Sequence, residues 1–123
     1  MSTSRTPSTT FDTAALRRCV EGRDAAALAE LYAGDATVEV ADAAHGPSDP
    51  LRLKGRDAIG AQLRDLYSRD MQHHVELASA TDDTLAYTVR CEYPDGIQVR
   101  SVSIAELRDG RIAREIMTQA WDA

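Results

Sequence analysis

The chain has 123 residues, 43% of them hydrophobic and 28% charged, enough for one domain with its own core and no disulfide scaffold. Its 14 Lys and Arg against 20 Asp and Glu leave a net charge of −6 with no basic cluster, which excludes nucleic acid as a partner. No apolar run approaches the roughly 18 residues of a membrane span, so no membrane partner is expected.

The opening MSTSRTPSTT lacks an apolar h-region and is not a secretory signal. Residues 1–10 read as a disordered lead-in and residues 11–123 as one domain, with the cytoplasm as the default compartment. Leu16, Cys19 and Val20 recur at helical spacing and Gly22 stops that helix. Asp24 caps a second helix over 25–33, whose stripe is Leu28, Leu31 and Tyr32 and whose end is Gly34. The period then changes: residues 36–41 alternate as a half-buried strand does, and 41–50, with two prolines and a glycine, form a loop at a pocket rim. LRL at 51–53 is a short strand. Ile59, Leu63, Leu66 and Tyr67 then mark the strongest helix, starting near Arg56.

Beyond Asp70 the pattern is strand-like over 72–80, 84–93, 97–107 and 111–121, with TDD, PDG and DG as turns. Three helices followed by an antiparallel meander predict an α+β fold in which the sheet curves around helices on one face. Cys19 and Cys91 stand apart without a C-x-x-C, as two thiols of a reducing compartment or, alternatively, one disulfide.

LYAGDATVEV at 31–40, GRDAI at 55–59, ELRDGRI at 106–112 and AWD at 120–122, in this order, resemble the nuclear transport factor 2-like superfamily in its SnoaL-like branch. The resemblance covers roughly residues 11–122. It implies a cone with an internal pocket between the sheet and the three helices, and a homodimer. The superfamily holds isomerases, polyketide cyclases, dehydratases and non-catalytic binding domains, so it implies no single activity. Set against ketosteroid isomerase, Val40 stands at the proton-shuttling base, Ala105 at the second acid and Leu16 at the tyrosine. None of the three can move a proton.

Strand alternation puts Tyr87, Val89, Cys91 and Tyr93 on one face and Thr88, Arg90 and Glu92 on the other. Ser101, Ser103 and Ala105 likewise oppose Arg100, Val102, Ile104 and Glu106, and such small side chains on a concave face leave room for a ligand. The opposite face is a dimer contact or a solvated surface. The last strand allows two registers. One turns Glu115, Met117, Gln119 and Trp121 inward, the other Ile112, Ile116 and Thr118, and a bulge can switch between them. The resemblance favours the first near the C-terminal end. An inward Glu115 is a candidate general base or acid; outward, it pairs with an arginine.

His73 shares parity with Val75 and Leu77 and points inward, as a catalytic histidine resembling that of related dehydratases or as a structural one. His45 is read as solvent-exposed. Tyr32, Tyr67 and Tyr87 are hydrogen-bond donors to a ligand carbonyl or packed aromatics. No nucleophile elbow, phosphate loop or metal-site spacing occurs, so neither cofactor nor metal is expected. The expected protein binds an apolar, partly oxygenated small molecule and runs proton-transfer chemistry on it with His73 and Glu115. Tyr32, Val40, Tyr67, Tyr87, Cys91, Ser103, Ala105, Met117, Gln119 and Trp121 are its expected pocket. The alternative is a non-catalytic binding or dimerisation module.

Overall fold

The computed structural model describes residues 10–123, so the expected lead-in lies, Thr10 apart, outside the described residues. Helix α1 (Thr13–Glu21) begins where the Asp12 side chain accepts from the Ala15 amide at 3.0 Å, and it buries Leu16, Cys19 and Val20. Helix α2 (Ala25–Ala29) repeats the device, with Asp24 accepting from the Ala27 amide at 3.0 Å.

The second helix is shorter than its periodicity suggested. Tyr32 is no longer helical but opens strand β1 (Tyr32–Ala41). Its carbonyl accepts from Arg56 Nε at 3.1 Å and Nη2 at 2.7 Å, and the preceding Leu31 carbonyl accepts from the Ile112 amide at 2.9 Å. Long-range pairing satisfies groups that one more helical turn would have used, and tertiary contacts override a weak local preference.

Strand β2 (Leu51–Lys54) folds back on β1, and helix α3 (Arg56–Tyr67) follows at once, entered through Gly55 at φ 90°. Strands β3 (Gln72–Ala80), β4 (Thr84–Glu92), β5 (Gln98–Arg108) and β6 (Arg111–Trp121) complete the chain. The sheet order is β2-β1-β6-β5-β4-β3. The last four strands form the expected antiparallel meander, while β1 lies parallel to β6. The β5–β6 turn is Asp109–Gly110, both left-handed with φ 54° and 74°, the pair that a tight hairpin favours. The fold is α+β, with three helices on a curved, mixed but mostly antiparallel six-stranded sheet.

The register shifts between Tyr32 and Thr37 of β1 and at two further bulges, which set which side chains face the helices. Between Val75 and Leu77 the β3–β4 register shifts, and the Glu21 carboxylate accepts from the freed Val75 amide at 3.0 Å while Arg17 donates to the Val75 carbonyl. Leu77, expected inward by parity with His73, is thereby turned out and is 70% exposed. A second shift lies between Glu106 and Leu107 opposite Arg114 and Ile112. It lets both Ile112 and Glu115, which strict alternation would separate, be completely buried.

Candidate functional site

The inward faces of the strands stack in cross-strand rows. Leu85, Ala105, Glu115 and Val38 form the closed end, and Tyr87, Ser103, Met117 and Val40 the next row. Val89, Ser101 and Gln119 follow, and His73, Cys91, Val99 and Trp121 form the row at the open end. Ile59, Leu63 and Leu66 of α3, with Val20 and Leu28, roof these rows and enclose a cavity of about 430 Å³.

At the closed end Glu115 carries a completely buried carboxyl group that accepts two phenolic hydrogens. Tyr32 donates to Oε1, and Tyr87 donates to Oε2 at 2.5 Å. Burial, and then the charge of Glu115, pushes both phenols well above the ordinary tyrosine range, so they stay protonated donors. The two rings face the cavity, whereas Glu115 lies behind them and does not line it. A ligand oxygen at this floor meets a hydroxyl already engaged by the carboxyl group.

Higher up, His73 is 4% exposed and faces its cross-strand partner Cys91, with Nδ1 3.1 Å from Sγ. The Tyr67 ring packs on it edge-on, with centroids 5.0 Å apart. Burial, then the charges of Arg23 and His74, lowers His73 to about 4, and burial raises the Cys91 thiol to about 11. Imidazole and thiol are therefore both neutral at pH 7, not an ion pair. The buried Nε2 has no hydrogen-bond partner among the described residues.

Of the pocket residues expected from the sequence, Tyr32, Val40, Tyr67, Tyr87, Cys91 and Met117 line the cavity, as do His73, Gln119 and Trp121. Ser103 and Ala105 face inward but do not line it. Their small side chains do leave space, and the structure fills it with their row neighbours Tyr87 and Glu115, not with cavity. Trp121 sits at the mouth, 40% exposed, its indole N–H donating to Gln119 Oε1 at 3.2 Å and its ring 6.1 Å from Tyr93.

The 41–50 loop does supply part of the rim, but the sequence did not show which of its side chains face the cavity. His45, read as solvent-exposed, lines the mouth with Asp42, its Nδ1 2.9 Å from Oδ1. Burial pushes Asp42 up, but hydrogen bonds from His45 and from the Ala44 and His45 amides outweigh it and hold the carboxyl below its ordinary value. Arg69, Gln62 and Met71 also reach the cavity, and their separation in sequence gave no sign of it. Cys19 and Cys91 are both free thiols. Among the described residues no group of three or more His, Cys, Asp or Glu is placed to hold a metal ion, and no helix is long and apolar enough to cross a membrane.

On the outer face Ile104 stands between Ala86 and Ile116, and Val102 between Thr88 and Thr118. Ile104, Val102, Ile116 and Leu77 are 61%, 47%, 43% and 70% exposed. The flanking charges already pair within the chain: Glu76 takes Arg90 and Arg100, each at 3.5 Å, and Glu106 takes Arg114 at 3.4 Å.

Residues 13–115 match the family model of the SnoaL-like domain. A nuclear transport factor 2-like protein of unknown function from Mesorhizobium loti is similar at 23% identity and a TM-score of 0.75, over 88% of this chain and 87% of that one. A protein of Kribbella flavida DSM 17836, provisionally called a ketosteroid isomerase, is similar at 22% identity and a TM-score of 0.71, over 90% of this chain and 75% of that one. A protein of Silicibacter pomeroyi DSS-3 with a cystatin-like fold is 16% identical with a TM-score of 0.71, over 88% and 72% of the two chains. At these identities the likeness is one of fold. No functionally curated protein matches the chain.

Proposed function

Because the chain belongs to the SnoaL-like domain family, we propose that it binds an apolar, partly oxygenated metabolite in the cavity and runs cofactor-independent proton transfer on it. Isomerisation, cyclisation and dehydration are the fitting reaction types. The observation that carries this reading is the composition of the wall. It is mostly aliphatic and aromatic, with polar groups at a few points: the Tyr32 and Tyr87 hydroxyls at the floor, His73, the Ser101, Gln62 and Gln119 side chains, and the Asp42, His45 and Arg69 side chains besides. His73 is the group at the wall that can exchange a proton with a ligand, and Glu115 acts through the two phenols in front of it.

One observation favours a second reading, a binding module without turnover. Both floor hydroxyls are engaged by Glu115, and Glu115 does not reach the cavity. Ketosteroid isomerisation is not the reaction we propose. Val40 is cavity wall, and Ala105 and Leu16 are buried apolar residues where that enzyme needs a second acid and a tyrosine. Losing even one oxyanion donor costs about 100-fold to 1,000-fold in rate. The free thiols suit a reducing compartment, and we place the protein in the cytoplasm. The apolar outer face, with its charges already paired, supports a homodimer through the sheet.

Trp121, the only tryptophan, reports on the reading. Titration with trans-1-decalone, a bicyclic ketone that absorbs only weakly where tryptophan does, should shift its emission saturably. An unchanged spectrum together with no heat of binding would refute the pocket. A Δ5-3-ketosteroid assay should show no turnover above background; turnover abolished by altering a cavity residue would restore the isomerase.

A further inference from the structure

The His73–Cys91 pair carries an inference that rests on the reading of the cavity as a ligand pocket and deepens it. Neutral imidazole has one donor nitrogen and one acceptor nitrogen, and the partner of one decides the role of the other. Here Nδ1 faces the Cys91 thiol at 3.1 Å, and Nε2 has no partner among the described residues. A thiol is a weak donor, and thiol sulfur is a weaker acceptor still beside a basic ring nitrogen. The favoured arrangement is S–H donating to Nδ1, which leaves the ring proton on Nε2.

A buried N–H without an acceptor is unfavourable, and such orphans in native structures point to a missing partner. His73 lines the cavity, so a ligand is the available source of one. Nε2 is buried, and the Tyr67 ring, itself a lining group, packs edge-on against the same imidazole. A carbonyl oxygen is the acceptor that suits this wall, because it takes the hydrogen bond and brings no charge among Cys91, Tyr67 and Val99.

We propose that Cys91 fixes His73 in the Nε2–H tautomer and that this N–H receives the carbonyl oxygen of an otherwise apolar ligand. Cys91 is then a positioning residue, acting on the ligand through His73. The ligand class narrows to ketones and esters, and cationic amines, which bring no acceptor to this N–H, are disfavoured at this wall.

Two measurements on the full chain test this. Nitrogen-15 NMR of the ligand-free protein should give His73 a pyrrole-type Nε2 and a pyridine-type Nδ1. That pattern should be lost in Cys91→Val and retained in Cys91→Ser, whose hydroxyl also donates. Calorimetry should then compare 2-acetylnaphthalene with 2-ethylnaphthalene, which lacks the oxygen. The ketone-to-hydrocarbon affinity ratio should fall about fivefold in Cys91→Val and in His73→Phe, the worth of one hydrogen bond, and be rescued in Cys91→Ser. A proton on Nδ1 in the wild type, or one ratio across all variants, overturns the proposal. If neither probe binds the wild type, the pocket reading and the ligand half fall together, while the tautomer is still decided by the ligand-free spectrum.

Discussion

Replacing Tyr32 or Tyr87 with phenylalanine removes one oxygen and leaves the ring in place. Both rings are almost fully buried, and both hydroxyls end on the same wholly buried carboxyl group. Each single variant therefore takes the phenolic donor from one oxygen of the buried Glu115 carboxyl group. Leaving a buried acceptor without its donor costs about 1–3 kcal/mol, and we expect about 2 kcal/mol for each variant. In urea this is a midpoint shift of about 1 M at unchanged slope. The double variant Tyr32→Phe/Tyr87→Phe strands both oxygens and should lose about 3–5 kcal/mol, a large part of the stability of a typical domain. Adding Glu115→Leu removes the carboxyl group that both phenols served. The triple variant should then recover much of the loss, because a matched apolar set costs less than a half-satisfied polar one. Equilibrium unfolding followed by far-UV circular dichroism reads all four variants. Single variants within about 0.5 kcal/mol of the wild type, or a triple variant less stable than the double, would refute the reasoning, because surface changes have effects of the first size.

His73 makes stability depend on pH with a definite sign. The unfolded histidine takes its proton near pH 6.5 and the folded one only at about 4, so between these values the unfolded state binds more protons. The contribution is complete above pH 6.5 and is lost as pH falls towards 4. It reaches at most about 3 kcal/mol, and His73→Gln should flatten the slope of unfolding free energy over this window by up to one proton. Equal slopes in wild type and variant would show that the histidine is not protected. At micromolar concentration, light scattering should give a dimer for the wild type and a monomer for Ile104→Glu. A twofold interface presents the new charge twice, so weakening of about 100-fold or more is expected. A monomeric wild type, or a variant still dimeric, would remove the outer face as the contact.

The helices, the meander and its inward face are local matters, and they are legible in the chain. Asp12 and Asp24 before apolar periodicity mark helix starts, and Asp109–Gly110 marks a hairpin, because caps and tight turns are made by residues adjacent in sequence. Alternation sorts β4 and β5 correctly because neither strand is interrupted within its length. The chain alone did not decide where alternation breaks. The bulges at Val75–Leu77 of β3 and Ile112–Arg114 of β6 depend on partners elsewhere: Arg17 and Glu21 of α1 hold the first, and the pairing with β5 sets the second. For the same reason local periodicity places Tyr32 in a helix. The groups that draw it into the sheet, Ile112 and Arg56, are distant in sequence. Glu115 and His73 stood out as chemically unusual inward residues, but their partners are set by distance in space. Only the tertiary structure puts two phenols on one carboxyl group and a thiol on one imidazole, because burial leaves each polar group no partner except the one that packing brings to it.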